Sequence, residues 1–321
     1  MPPIRWIGRG LVAVLAATTL TAGSAALAAP AARRASEMII VDNVLGPEGP
    51  LVVDGVLYFV GWTDNTLSRW DGHKRTVIHT DSACGHNGLA LTRAKTFLLA
   101  CTDDPGAILE LSLDGKPLRR WDTDDKGGRF VGGINDIAVA PDGGAYATVF
   151  GPYDGIGPPG ELMGKVLYLA PGTAAWKEVA ADLNYANGVG VSPDGKILYV
   201  SQTVTGSILK FRIAADGALS HRANFALLDS LVPRRGPSPW LGPDSLKVDR
   251  AGNIYVAQWF GGKILKLSPQ GKLLHVFRIA AGDGTTNVAF DAGERRLYVS
   301  VVKDAKDPKA AGSIVRIENV R

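Results

Sequence analysis

Zinc and thiol chemistry have little to work with in this chain. Its five histidines, His73, His79, His86, His221 and His275, show no paired ligand spacing, which disfavours a zinc centre. Cysteine is confined to Cys84 and Cys101, and neither has a histidine or other base at a recognisable offset, which speaks against a catalytic thiol. The two stand at either end of a candidate hairpin around Arg93. Folding back there would bring them within disulfide range in an oxidising compartment; the alternative is two buried free thiols. An excess of one charge is missing too. The chain carries 35 Lys and Arg against 31 Asp and Glu, with the basic residues scattered between strands, which argues against nucleic acid or an anionic membrane as partner. Beyond the first 28 residues no stretch approaches the ~20 apolar residues that span a bilayer.

The beginning of the chain is different. Arg5 and Arg9 precede the apolar run Leu11 to Leu20, and Ala26-Leu27-Ala28 offers a small-residue cleavage site before Ala29. This pattern predicts a secretory signal over 1–28, a flexible linker over 29–36 and a single large domain over 37–321. The alternative is an uncleaved anchor. Export to the periplasm or the medium follows from the first reading, with no membrane association once the signal is removed.

What fills the remainder is repeated strand and turn. Asn187 to Phe225 reads as a four-stranded antiparallel meander: Val189 to Ser192, the turn Pro193-Asp194-Gly195, Ile197 to Ser201, a break at Gly206, Ser207 to Ile213, and the turn Asp216-Gly217. Both faces of such a sheet are apolar and need neighbours. The chain supplies them: the opening of the first strand recurs as Glu48-Gly49-Pro50, Asn87-Gly88, Asn135-Asp136, Asn187-Gly188, Asp244-Ser245 and Asn287-Val288. Spacings of about 40 to 60 residues are those of propeller blades. The expected fold is all-β, a six-bladed β-propeller of four-stranded antiparallel blades. Because the last blade has three strands in sequence, Met38 to Val41 is expected to complete it and close the ring.

In such a ring the first strand of each blade lines the axis. The long segments, Asp122 to Ile134, Phe150 to Gly164, Asp229 to Pro243 and Val302 to Ala311, all fall on the rim where these strands begin. That rim is the expected functional face, with Arg129, Phe130, Tyr153, Arg234, Arg235 and Trp240 as candidate pocket walls. Glu48, Asn87, Asn135, Asn187, Asp244 and Asn287 would converge at its centre. Carboxylates held together repel unless a cation lies between them, and an all-oxygen shell of about six to eight ligands suits Ca²⁺, with another divalent cation as the alternative. Singly, such residues are ordinary turn formers. Their recurrence at one blade position is the signal.

The segments Gly46 to Pro50, Ile134-Asn135-Asp136, Ala186-Asn187-Gly188 through Asp194-Gly195, and Gly242-Pro243-Asp244 through Ala257 resemble the senescence-marker-protein/gluconolactonase family, which includes regucalcin. There is wider similarity to paraoxonases and diisopropylfluorophosphatase. The resemblance implies a six-bladed propeller with one axial divalent cation, usually Ca²⁺, and hydrolysis of lactones. Matched residue by residue, it implies Glu48, Asn187 and Asp244 as metal ligands and Asn135 as a substrate- or metal-contacting asparagine. A compatible mechanism uses the cation on a lactone or ester carbonyl, Asp244 as the base for water, Asn135 to orient the carbonyl or leaving oxygen, and Asn87, Arg129 and Trp240 toward the substrate. The chain departs from the resemblance at Gly133, where sugar-lactone members often carry arginine, and at Asn87, where paraoxonases carry histidine. The alternatives are a phosphotriesterase-like hydrolase on the same site and a non-catalytic propeller that binds a ligand or partner around a structural ion. A monomer or weak oligomer is expected.

Overall fold

The computed structural model describes residues 36–151, 162–233, 236, 238, 240–307 and 309–320. The expected signal and linker, together with Tyr153, Arg234 and Arg235, lie outside the described residues.

Among the described residues, twenty-four strands form six four-stranded antiparallel sheets. Five sheets follow the chain as simple meanders. The sixth joins the two ends: Glu37–Leu45 pairs antiparallel with Ala311–Glu318, Glu37 opposite Ile317 and Leu45 opposite Ala311. The N-terminal strand thus completes the last blade, as its lone position in the sequence predicts, and ring closure covers what would otherwise be an open edge.

The inner strands are Pro47–Val53, His86–Leu91, Ile134–Val139, Ala186–Val191, Gly242–Val248 and Gly284–Phe290. Each lies against the inner strand of the next blade, and the last against the first. The core sits between the blades. One cluster, for instance, packs Tyr58, Val60 and Leu67 of the first blade against Leu89, Phe97 and Leu99 of the second. Fully apolar strands such as Phe97–Cys101, buried at every residue, therefore serve two interfaces at once, which explains why alternation is weak in them. Cys84 and Cys101 are joined by a disulfide inside this cluster.

Every inner strand carries a β-bulge near its start, between Glu48 and Leu51, His86 and Leu89, Ile134 and Ile137, Ala186 and Val189, Pro243 and Leu246, and Thr285 and Asn287. An extra residue on one side of a ladder re-aims the side chains that follow. Hydroxyls from a neighbouring blade capture carbonyls at these irregular starts: Thr148 Oγ1 donates to Asn187 O, Thr203 Oγ1 to Pro243 O at 2.8 Å, and Thr286 Oγ1 to Pro47 O at 2.7 Å. A backbone that leaves its ladder is satisfied from the next blade.

Candidate functional site

The bulged starts open into a cavity of about 610 Å³ on the expected rim. Glu48, Asn87, Asn135, Asn187 and Asp244 line it. Asn287, the sixth member of the sequence set, does not. Its amide is used up, Nδ2 donating to Glu48 Oε2 at 2.7 Å and Oδ1 accepting from Val288 N at 2.8 Å, so it positions Glu48.

Glu48 is 2% exposed. Its hydrogen bonds among the described residues, from Asn287 Nδ2 and from Gly49 N, both go to Oε2 and leave Oε1 for another partner. Desolvation and the negative charge of Asp136 push its pKa up to about 7. Asp244 is raised well above the usual carboxylate range by desolvation and by Glu48, against the opposing hydrogen bond from Asn187. Two desolvated carboxyl groups on one cavity, one of them raised by the charge of the other, are what a cation relieves. The amides point the same way. The Oδ1 atoms of Asn87, Asn135 and Asn187 are buried without a hydrogen-bond partner, although Asn187 Nδ2 is held by Thr203 Oγ1 at 3.1 Å. Orphaned buried acceptors are rare, and three on one cavity fit a hard cation held by oxygen. Among the described residues no group of three or more His, Cys, Asp or Glu side chains could hold a metal. The candidate donor set is two carboxylates and amide oxygens.

The walls differ from the expected ones. Trp240 does line the cavity, but Arg129 does not: it is exposed and pairs with Thr123 through the backbone. Phe130 is 3% exposed and packs in the core with Trp121 and Trp176. The connection over 122–133 has room to fold on itself, so its large side chains go where a core is available. The aromatic walls come instead from residues at or just after the second strand of several blades, Trp62, Phe150 and Trp259, with Tyr185, Trp240 and Phe260 beside them. Thr102 and Thr203 occupy the same blade position. That position repeats in the sequence and was the available signal. Phe150, Tyr185 and Trp240 form a chain of ring contacts at 5.1 Å each; Trp62, Trp259 and Phe260 form another, at 6.3 and 5.6 Å. Tyr185 at φ 44° and Phe260 at φ 58° hold a left-handed backbone that aromatic residues seldom adopt. At Gly133 a Cβ would overlap the Phe150 ring, so the aromatic takes the space that an arginine would need. Among the described residues no Lys or Arg lines the cavity.

His86, beside Asn87, is fully buried against the His79 ring at 5.4 Å and lies outside the cavity, so it offers no histidine base to the site. Neither ring nitrogen has a hydrogen-bond partner, and burial pushes its pKa down to about 4. The neutral ring therefore stabilises the fold above the ordinary value of 6.5, and that stability drains as pH falls toward 4. Unfolding free energies from urea titrations are expected to fall between pH 7 and pH 4 by roughly 3 kcal/mol more in the native chain than in His86→Leu. Equal pH dependence in the two would contradict this.

A closed six-bladed propeller with an acidic, all-oxygen, aromatic-walled pocket on its axis is the class defined by this fold and site. The family model described as SMP-30/Gluconolactonase/LRE-like region matches residues 46–303, and the chain belongs to that family. Lactonase drp35 of Staphylococcus saprophyticus is 31% identical over 269 residues, 77% of this chain and 72% of that protein. Human regucalcin is 24% identical over 292 residues, 88% of this chain and 93% of that protein. The chain spans about half the length of other curated relatives it matches, such as lactonase drp35 of Staphylococcus haemolyticus, 26% identical over 57% of this chain and 54% of that protein. Among solved structures, a gluconolactonase of Xanthomonas campestris superposes with a TM-score of 0.71 at 24% identity, covering 89% of this chain and 90% of that one. At that identity the likeness shows the fold.

Proposed function

We propose that the chain is an exported hydrolase of lactones or related esters that depends on a divalent cation, Ca²⁺ in the first instance. The observation that carries this reading is the set of three orphaned amide oxygens on the same cavity as two carboxyl groups with raised pKa. Glu48, Asn187 and Asp244 would hold the ion, with Asn135 completing or adjoining the set. When bound, the cation supplies a Lewis acid for the ester carbonyl.

The chain's own residues do the rest. Asp244 accepts a proton from the attacking water, and Asn135 Nδ2 donates to the carbonyl or leaving oxygen. Asn287 keeps Glu48 in place. The aromatic walls exclude water from the reacting bond and take up the apolar part of the substrate. With aromatics where an arginine would otherwise reach in, and no basic side chain lining the cavity among the described residues, a neutral lactone carrying an aryl or alkyl substituent fits better than a phosphorylated or anionic one. A monomer or weak oligomer would suffice, because the cavity is built from one ring.

The test is hydrolysis of a panel of lactones by residues 29–321, with chelator and with Ca²⁺. Activity is expected to vanish with the chelator and return with Ca²⁺, with kcat/KM about tenfold higher for substituted than for polyhydroxylated lactones. Trp240→Ala should erase most of that preference. Turnover indifferent to the chelator would refute the metal; bound Ca²⁺ without turnover on any ester would make this a binding propeller.

A further inference from the structure

One charged pair in the channel has no part in the proposed reaction. Asp136, next to Asn135, is fully buried, and its Oδ2 accepts from Lys247 Nζ at 2.8 Å while Oδ1 accepts from Ile137 N at 2.9 Å. The partners are 111 residues apart, on the inner strands of the third and fifth blades, so the pair reaches past the inner strand of the fourth. Asp136 fits because Gly88 faces it: a Cβ there would overlap its Oδ1 and its backbone. Lys247 also lines a second cavity, of about 320 Å³, at the other end of the inner strands. Pro50, Ala90, Ala138, Gly190, Val248 and Ala289, one from each blade, line that cavity with it. It is apolar, and among the described residues Lys247 is the one charged group lining it.

Among the described residues the inner strands thus carry three carboxyl groups, Glu48, Asp136 and Asp244, while Asp103 and Asp104 line the cavity from outside those strands. The negative charge of Asp136 acts on both of the others, while the ammonium of Lys247 relieves Glu48. One ammonium leaves a net charge of minus two if all three are ionised, the charge of one divalent cation. We propose that Lys247 is a tethered cation that neutralises Asp136 and thereby limits the channel to one divalent ion instead of two. This rests on the axial-ion reading given above. The ammonium stands where a second ion would otherwise be drawn in by a buried carboxylate, and because it is covalently held it cannot be removed by dilution or chelation. Lys247 acts on the metal through Asp136 and is a positioning residue.

Stoichiometry decides it. Calorimetric titration with Ca²⁺ alone, checked by native mass spectrometry, is expected to show one ion in the native chain, two in Lys247→Met, and one again in Lys247→Met/Asp136→Asn, where both charges are gone. Asp136→Asn alone leaves the ammonium unpaired beside the ion, with water reachable through the second cavity, and should weaken Ca²⁺ binding by about tenfold. This variant keeps the inference testable should Lys247→Met fail to fold. One ion in both the native chain and Lys247→Met, or native affinity in Asp136→Asn, overturns the tethered-cation role and leaves the axial ion standing. No ion in the native chain removes the axial ion itself, and the inference with it.

Discussion

Asp244→Asn is expected to lower kcat/KM for a lactone by roughly 10²- to 10⁴-fold while leaving the propeller folded. The substitution keeps shape and removes the oxygen charge needed to take a proton from water. Its effect on stability separates a catalytic carboxylate from a structural one. In the absence of divalent ions, the charge of Glu48 opposes the ionisation of Asp244 in a desolvated channel. Removing one charge relieves that opposition, so the ion-free variant should melt at or above the temperature of the ion-free native chain, and its response to Ca²⁺ should shrink. Circular dichroism with thermal melts in chelator and in Ca²⁺, beside the lactone assay, measures all three. Full activity in Asp244→Asn would remove it from the reaction. A collapse of the ion-free melting temperature would show that the carboxylate is needed for the fold.

Calcium should stabilise the native chain much more at pH 8 than at pH 5. The Glu48 carboxyl group, with its pKa raised to about 7, holds a proton in the folded chain after the unfolded chain has released it. Its contribution is therefore fully present below the ordinary value of 4.5 and is lost as pH rises through 7. Asp244 is displaced in the same direction. The ion-free protein thus weakens from pH 5 to pH 8 on account of this pair. Cation binding needs the ionised forms and so strengthens over the same interval. At pH 8 and a hundredfold excess over the dissociation constant, the melting temperature should rise by about 5 °C or more, and at pH 5 by much less. A Ca²⁺ response that is flat with pH would show that these carboxyl groups do not hold the ion.

The fold was legible because its determinants are local and repeated. Asn-Gly and Asp-Gly turns, β-branched runs and the spacing of the strand starts are properties of neighbouring residues, and a strand left without a partner at one end matches a blade that lacks one at the other. The same recurrence marked five side chains that do line the axial cavity. It also marked Asn287, whose amide is spent on Glu48 and Val288, since a shared blade position fixes where a side chain begins and not what it bonds.

Loops are less legible in the sequence. Phe130 looked like a wall because it is large and lies in a long connection, yet Trp121 and Trp176 offered it a core. Trp62, Phe150 and Trp259 sit at the ends of second strands, where a ring can be strand core or cavity wall depending on how the next blade is packed.

By itself, then, the sequence determined the class of fold, the number of blades, the closing strand and the position in each blade from which the site is built, since these depend on turn chemistry and period. The six bulges, the threonine bridges between blades, the aromatic walls and the pairing of Lys247 with Asp136 were decided by tertiary structure alone. Each depends on distances between residues of different strands or blades, and those distances exist only once the ring has closed.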